Sequence, residues 1–212
     1  MSETGPDEKD RQDMARLAGG QDAALNDLME RHGERLFHYL LRQLSNDADA
    51  EDCAQEAFAR VYIHRGKFRS GAKFTTWLYT IATNLARDCH RRRARHPEVS
   101  LSEGEGAGRM EMAVDAAPQP GEQLEAGERA AQVRAAVQGL PEEWRTALVL
   151  FEYENLGQAE IAEILHCTAK AVEVRIYRAR NALRGALAEL GPGKEEGKWT
   201  EGTNGTNRTK KG

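Results

Sequence analysis

The stretch QAEIAEILHCTAKAVEVRIYRARNALR, residues 158–184, decides the fold of the C-terminal part of the chain. Its second half spaces apolar side chains at i, i+4, i+7 and i+11, which is one face of a helix. These side chains are Val172, Ile176, Ala179 and Leu183. A short helix with the small residue Ala162 precedes them, and residues 166–168 break the pattern in between. The stretch therefore predicts a helix-turn-helix, in which Val172 and Ile176 pack against Ile161 and Leu165 of the first helix.

The opposite face of the second helix is basic. It would offer five side chains to a DNA major groove, Lys170, Glu173, Val174, Tyr177 and Arg178. Arg175 and Arg180 would contact phosphates. An ordinary amphipathic surface helix is the alternative. The agreement of spacing, small residue and charge favours DNA binding.

Charge is distributed unevenly along the 212 residues. The formal net charge of −4 alone speaks against a nucleic-acid partner. However, residues 60–96 hold ten Lys and Arg against one acid, Asp88, and residues 166–184 hold five against Glu173. Residues 98–130 hold eight acids against two arginines. Two basic segments in an acidic chain predict two separate contacts with polyanions.

Several classes of protein are disfavoured by the sequence. No apolar run approaches the roughly 18 residues of a transmembrane helix. The acidic start, MSETGPDEKDRQDM, does not resemble a signal peptide, so we expect a cytoplasmic protein. The cysteines Cys53, Cys89 and Cys167 are odd in number and far apart, which disfavours a disulfide framework or a zinc site. Cys89 lies beside His90, but a buried thiol next to a surface histidine is the simpler interpretation.

The chain shows no set of residues typical of an enzyme. A glycine-rich phosphate loop, a metal-binding H-E-x-x-H and a paired nucleophile and base are all missing from the sequence. We therefore expect no catalytic residues, no metal and no cofactor.

Periodicity predicts an all-α protein with two small helical domains joined by a flexible linker. Alternating strand patterns are nearly absent, and Gly, Pro and acidic residues are concentrated between the two helical parts. We expect a disordered N-terminus at 1–10, a first domain at 11–95, an acidic linker at 96–122, a second domain at 123–190 and a disordered tail at 191–212.

The first basic segment mixes arginines and lysines with aromatic residues. Such a mixture suits unpaired nucleotides, whose bases stack on rings while cations hold the backbone. The alternative is that most of these aromatics are core residues. Phe74 begins a stripe that continues through Leu78, Ile81 and Leu85, so we expect it to be buried. Thr80 and Asn84 lie on the polar side of the same helix and could read base edges.

An acidic helix precedes this segment. Cys53, Ala54, Ala57 and Val61 form its expected buried stripe. Asp52, Glu56 and Phe58 would then be exposed beside Gln55. A phenylalanine among carboxylates and an amide predicts a protein-binding surface. A solvated face with one exposed aromatic is the alternative.

Taken together, three segments resemble the extracytoplasmic-function sigma factors, small two-domain members of the sigma-70 family. DAEDCAQEAFARVY, residues 49–62, is similar to the family's polymerase-binding helix. FRSGAKFTTWLYTIATNLARD, residues 68–88, is similar to its promoter-melting segment. Residues 140–184 begin with LPEEWR and are similar to its C-terminal signature and helix-turn-helix.

The resemblance implies a non-enzymatic subunit of bacterial RNA polymerase. It implies contacts with the clamp of the beta-prime subunit by Asp49, Asp52, Gln55, Glu56 and Phe58. It implies capture of single-stranded −10 DNA by Phe68, Arg69, Lys73, Thr76, Thr80, Asn84, Arg87 and Arg91. Duplex −35 DNA would be read by the seven residues of the second helix named above, with the same domain on the beta flap. An anti-sigma factor is a further implied partner, and any membrane contact would be made through a membrane-anchored anti-sigma factor.

One residue departs from the family pattern, and two rival functions stay open. His166 stands in the turn where the family usually has glycine, so we expect a strained left-handed backbone there. A plain helix-turn-helix regulator would explain residues 158–184 but not the acidic or the aromatic–basic helix. A sigma-like decoy that holds an anti-sigma factor is the third possibility.

Overall fold

The computed structural model describes residues 5–69, 71–95 and 120–189. Within these ranges every regular element is helical, so the all-α prediction is confirmed. The helices are α1 (Pro6–Ala18), α2 (Ala23–Leu44), α3 (Asp47–Ile63), α4 (Phe74–Arg95), α5 (Pro120–Gln138), α6 (Glu142–Glu152), α7 (Gln158–Ile164) and α8 (Ala169–Glu189), and a 3-10 turn covers Arg65–Lys67.

The N-terminal domain consists of α1 to α4. Its core is aliphatic and aromatic, with Leu36 and Leu40 of α2, Val61 of α3 and Phe74 and Leu78 of α4 all buried. The expected burial of Phe74 is confirmed, and Leu78 and Leu85 of its stripe are also buried, whereas Ile81 is only partly buried. Buried positions recur every three or four residues along these helices, so each helix packs one side against this core.

The predicted disorder of residues 1–10 is wrong for the described part of that range. α1 begins at Pro6, with Asp7 and Glu8 in its first turn, where a helix dipole favours acids. Asp10 is only 1% exposed because its carboxylate pairs with Arg31 and His32 of α2. The acidic composition of the segment suggested solvation, and the sequence did not show that α2 supplies the opposite charges. Residues 1–4 lie outside the described ranges.

The C-terminal domain consists of α5 to α8 and contains the predicted helix-turn-helix. Ile161 and Leu165 are buried against Val172 and Ile176, and Ala162 is buried where α7 and α8 approach. The predicted packing is therefore confirmed. His166 has a φ of 51°, which is the expected left-handed turn.

The predicted linker and tail fall mainly outside the described residues. α5 begins at Pro120, whereas we expected helix from Gln123 onward. The rest of the 96–122 linker and the 191–212 tail are not described.

The two domains pack against each other. α5 and α6 contact α2, and α7 contacts α4. No helix in the described ranges is long and apolar enough to cross a membrane. The interdomain contact has no counterpart in the periodicity of the sequence, because residues that meet across it, such as Tyr79 and Glu154, lie far apart in the chain.

Candidate nucleic-acid interface

The exposed face of α8 carries the residues predicted to read duplex DNA. Tyr177 is 67% exposed, and Lys170, Glu173 and Arg178 are exposed beside it, while Val174 is half-buried. Lys170 Nζ lies 2.8 Å from Glu173 Oε1. The buried side of the helix, with Val172, Ile176 and Ala179, fixes this face outward.

Arg175 and Arg180 turn toward α6. Arg175 Nη2 lies 2.9 Å from Glu143 Oε2, and Arg180 Nη2 lies 2.5 Å from Glu152 Oε1. Both guanidinium groups are therefore paired with carboxylates. A phosphate contact would have to replace or share these pairs.

A polar stripe runs along α4. Thr80, Asn84, Arg87 and Arg91 follow one another at i, i+4, i+7 and i+11. Asn84 and Arg91 are exposed, whereas Thr80 and Arg87 are half-buried. Arg91 pairs with Asp88 one turn before it. The structure thus places one amide between a hydroxyl and two guanidinium groups, which is a face able to meet a base edge and its backbone.

The loop before α4 adds aromatic and basic groups. The ring centroids of Phe68 and Trp77 are 5.3 Å apart, and both rings are partly buried against the core. Arg69 is exposed. Lys73 Nζ lies 3.0 Å from Glu160 Oε1 of α7. Partly exposed rings and cations therefore belong to the same loop and the first turn of α4, which is the combination of groups that binds single strands.

Thr76 does not fit the predicted single-strand site. Its side chain is only 5% exposed, because it lies on the core side of α4. Its backbone carbonyl accepts a hydrogen bond from Thr80 Oγ1 at 2.7 Å. The Thr76 side chain is therefore inaccessible to a nucleotide in this arrangement, and the residue's backbone carbonyl holds the Thr80 hydroxyl.

The acidic face of α3 is partly as predicted. Asp52, Gln55 and Glu56 are exposed. Gln55 Nε2 donates to Glu51 Oε1 at 3.3 Å, and Arg60 Nε lies 2.8 Å from Glu56 Oε1. An open groove between α3 and α4 borders this face. Exposed acids and an amide beside a groove can bind the surface of a partner protein that carries basic groups or charges of both signs.

Phe58, in contrast, was predicted to be exposed, and this is wrong. It is only 4% exposed and belongs to the core. α3 packs against both α2 and α4, so its buried arc is wider than one stripe and includes the residue next to Ala57. The prediction from the sequence assumed that only one neighbouring helix packs against α3, and it therefore placed Phe58 on the exposed side of α3.

Asp49 is held within the domain. Its carboxylate pairs with Arg93 of α4 and accepts a hydrogen bond from Cys89 Sγ at 3.3 Å. Burial, with the bond to Asp49 second, raises the pKa of the Cys89 thiol. Asp49 therefore links α3 to α4, and its carboxylate already has Arg93 and Cys89 as partners within the domain.

Sequence reasoning missed the acids of the C-terminal domain that reach the N-terminal domain. Glu160 contacts Lys73, Arg87 Nε lies 3.2 Å from Glu142 Oε1, and Glu154 is buried at the domain contact. No sequence signal distinguished these glutamates from solvated ones. Among the described residues, no group of three or more His, Cys, Asp and Glu could hold a metal ion.

Comparisons with known proteins agree with this geometry. The models of Sigma-70 region 2 and Sigma-70, region 4 match residues 28–96 and 130–183. The RNA polymerase sigma-H factor of Pseudomonas aeruginosa is 35% identical over 185 residues, which are 86% of this chain and 96% of that protein. The ECF RNA polymerase sigma factor SigW of Bacillus subtilis is 35% identical over 176 residues, 81% of this chain and 92% of that protein.

A solved structure shows the same arrangement of helices. CnrH, in complex with the cytosolic domain of CnrY, has a TM-score of 0.65 and 26% identity, covering 86% of this chain and 99% of that chain. The sequence matches and the structural match both extend over the two domains. The chain belongs to the extracytoplasmic-function sigma factors of the sigma-70 family.

Proposed function

We propose that the chain directs core RNA polymerase to specific promoters and assists promoter melting, in the cytoplasm and without catalytic residues of its own. One observation carries this proposal. An exposed face with basic residues on α8, a polar and basic face on α4 and an exposed acidic face on α3 occur in one chain. A plain helix-turn-helix regulator needs only the first of these.

The −35 element would be read by α8 as duplex DNA. Arg178 and Tyr177 project from the outward face, where an arginine can bind a guanine edge with two hydrogen bonds. Lys170, Glu173 and Val174 would flank them. Arg175 and Arg180 would move from Glu143 and Glu152 to the phosphates, and the same domain would rest on the beta flap.

The −10 element would be bound by α4 as a single strand. Asn84 can donate to and accept from a base edge, with Thr80 beside it. Arg91, Arg69, Lys73 and Arg87 would supply cations for the backbone, and the partly exposed Phe68 would supply a ring for stacking. Unpairing a base costs a few kcal/mol, and stacking returns about 1–3 kcal/mol per base, so the contacts can hold a strand once it has separated.

Polymerase binding would use α3. Asp52, Gln55 and Glu56 are exposed for the clamp of the beta-prime subunit, while Phe58 would support their helix from within. An anti-sigma factor is the second proposed partner, because the related CnrH was solved with the cytosolic domain of CnrY. We propose membrane contact only through such a partner.

Transcription in a purified system tests this function. Core polymerase with the chain and fragmented genomic DNA is expected to give transcripts with a defined set of start sites. Core polymerase alone is the control. Binding to core polymerase without new start sites would favour the decoy function, and DNA binding without core binding would favour a plain regulator.

A further inference from the structure

Three arginines of α8 lie against α6, and α6 holds them in two different ways. Arg175 and Arg180 pair with carboxylates of α6. Arg178 contacts a ring instead, because its guanidinium carbon lies 5.9 Å from the centroid of the Trp144 ring. A carboxylate takes up N–H donors of its arginine, whereas the face of an aromatic ring attracts the guanidinium charge and leaves the donors available.

The position of Trp144 is fixed by the first turn of α6. Its backbone N–H donates to the Pro141 carbonyl at 2.9 Å, and its ring is partly buried against the core. Glu143, the preceding residue, pairs with Arg175, which lies about one turn before Arg178 on α8. Neighbouring residues of α6 therefore hold neighbouring turns of α8, and the Trp144 ring has a defined place beside Arg178.

The contact with Trp144 limits where the Arg178 side chain can point. An exposed arginine samples many rotamers, and ordering it in an interface costs binding free energy. Arg178 is exposed, so core packing does not order it. The ring restricts the guanidinium before DNA is bound, and the N–H groups stay available for the two acceptors of a guanine edge.

We propose that Trp144 is a positioning residue for sequence reading, which holds Arg178 in the orientation that distinguishes one base pair of the duplex element. The role rests on the proposed function, in which Arg178 reads duplex DNA. An acid in place of Trp144 would also order the arginine, but it would compete with the base for the N–H donors. An aromatic partner therefore suits a base-reading arginine, and an acidic partner suits a phosphate-binding one.

The test uses core polymerase bound to the full-length chain. Its probe is a duplex that carries a start site found in the purified system, with the −35 region randomised over about ten base pairs, one turn of the double helix. Bound duplexes are sequenced, and the preference at each base pair is scored. Arg178→Ala identifies the base pair whose preference depends on that arginine.

Two substitutions of Trp144 are compared with a matched control. Trp144→Leu removes the ring but keeps an apolar side chain, and Trp144→Phe keeps a ring. Phe151→Leu is the control, because the Phe151 ring of α6 also lies beside an arginine, with the Arg180 guanidinium carbon 5.4 Å from its centroid. That arginine is held in addition by Glu152, so it does not depend on the ring alone.

The expected losses are confined to one base pair. Trp144→Leu should lower the preference at the Arg178 base pair about three-fold, the size of an exposed cation–π contact, and leave the other base pairs unchanged. Trp144→Phe should keep most of the preference, and Phe151→Leu should keep all of it. In an Arg178→Ala background, Trp144→Leu should cause no further loss, because a positioning residue acts only through the side chain that it positions.

A spectroscopic measurement requires no substitution of Trp144, so it also decides the case in which Trp144→Leu does not fold. In the full-length chain, Arg178→Ala should shift the NMR signal of the Trp144 indole N–H. The signal of Trp77, in the N-terminal domain, should stay in place. Circular dichroism checks that every variant keeps its helices.

The results that would overturn the positioning role differ from those that would reject the proposed function. An unchanged preference in Trp144→Leu, an equal loss at every base pair, or a further loss in the Arg178→Ala background would each show that Trp144 only supports the fold. An unshifted Trp144 signal would show that the contact does not form. Absence of any preference that depends on Arg178 would instead reject its duplex-reading role, and the positioning role would fall with it.

Discussion

Tyr79 of α4 donates a hydrogen bond to the Glu154 carboxylate across the domain boundary, and both side chains are buried. Burial raises the pKa of Glu154 above its ordinary value, and the bond from Tyr79 together with the charges of Arg35, Arg42 and His38 opposes this effect only in part. The closed state therefore binds a proton at Glu154 more readily than an open state, in which water surrounds the carboxylate.

Domain closure is expected to depend on pH through this group. Because the pKa of Glu154 is raised on closing, closure is strongest below the ordinary glutamate pKa and weakens as the pH rises through the raised value. Energy transfer between dyes on cysteines introduced at Ile63 and Ala186, in a Cys167→Ser background, measures closure between about pH 8 and pH 5. Relative to Glu154→Gln, transfer should increase as the pH falls.

Glu154→Gln is the control for that titration. It cannot ionise but still accepts from Tyr79, so it lacks the contribution of Glu154 and keeps that of His90, whose pKa is lowered by burial and by Arg145 of α6. His90→Gln, measured in parallel, removes this opposing contribution of His90. Closure that weakens relative to Glu154→Gln as the pH falls, or an unchanged profile in that variant, would contradict the role given to Glu154.

Substitution of Phe58 should affect the stability of the protein, whereas substitution of Gln55 should affect its binding to core polymerase. Phe58→Ala is expected to lower the free energy of unfolding by about 3–5 kcal/mol, because it leaves a cavity among α2, α3 and α4. Gln55→Ala is expected to change it by less than about 0.5 kcal/mol and to weaken binding to core polymerase by more than about 1 kcal/mol. Urea denaturation and a core-binding titration make the comparison. A stable Phe58→Ala protein would show that the core does not depend on this ring.

The left-handed turn at His166 gives a stability prediction with a built-in control. His166→Gly should raise the free energy of unfolding by about 0.5–1 kcal/mol, since glycine removes the strain of a positive φ at some entropic cost. His64 has a φ of −101°, so His64→Gly should lower stability instead. Thermal denaturation followed by circular dichroism measures both. Equal losses in the two variants would mean that the His166 backbone is not strained.

Two arginines of α8 should differ in sequence dependence. Arg178→Ala is expected to cost about 1–3 kcal/mol at the preferred duplex and to relax the preference at one base pair. Arg175→Ala should weaken all duplexes alike and flatten the salt dependence, because its guanidinium would meet a phosphate after leaving Glu143. Binding to a panel of duplexes at two salt concentrations distinguishes the two patterns. Equal, sequence-independent losses would reduce α8 to a nonspecific basic surface.

The elements that local periodicity controls were predictable from the sequence. Val172 and Ile176 are spaced as on one face of a helix, and this spacing predicted the buried side of α8. The spacing of Phe74 and Leu78 predicted the burial of Phe74 in the same way. Phe58 was misplaced because the number of helices packed on α3 is a tertiary property. The partners of Asp10 and Glu154 lie many residues away in the chain, and no pattern in one sequence pairs an acid with a distant arginine or tyrosine.

Promoter melting by α4 is the central claim, and Asn84 tests it most directly. Asn84 is exposed on α4, so Asn84→Ala should leave the fold, core binding and duplex binding near normal. It should reduce promoter opening about ten-fold, seen as lost permanganate reactivity of thymines near the start site, because contacts that offset unpairing are gone. A template with a pre-melted bubble should restore most of the transcription. Normal opening by Asn84→Ala, or no advantage from the bubble, would contradict the account.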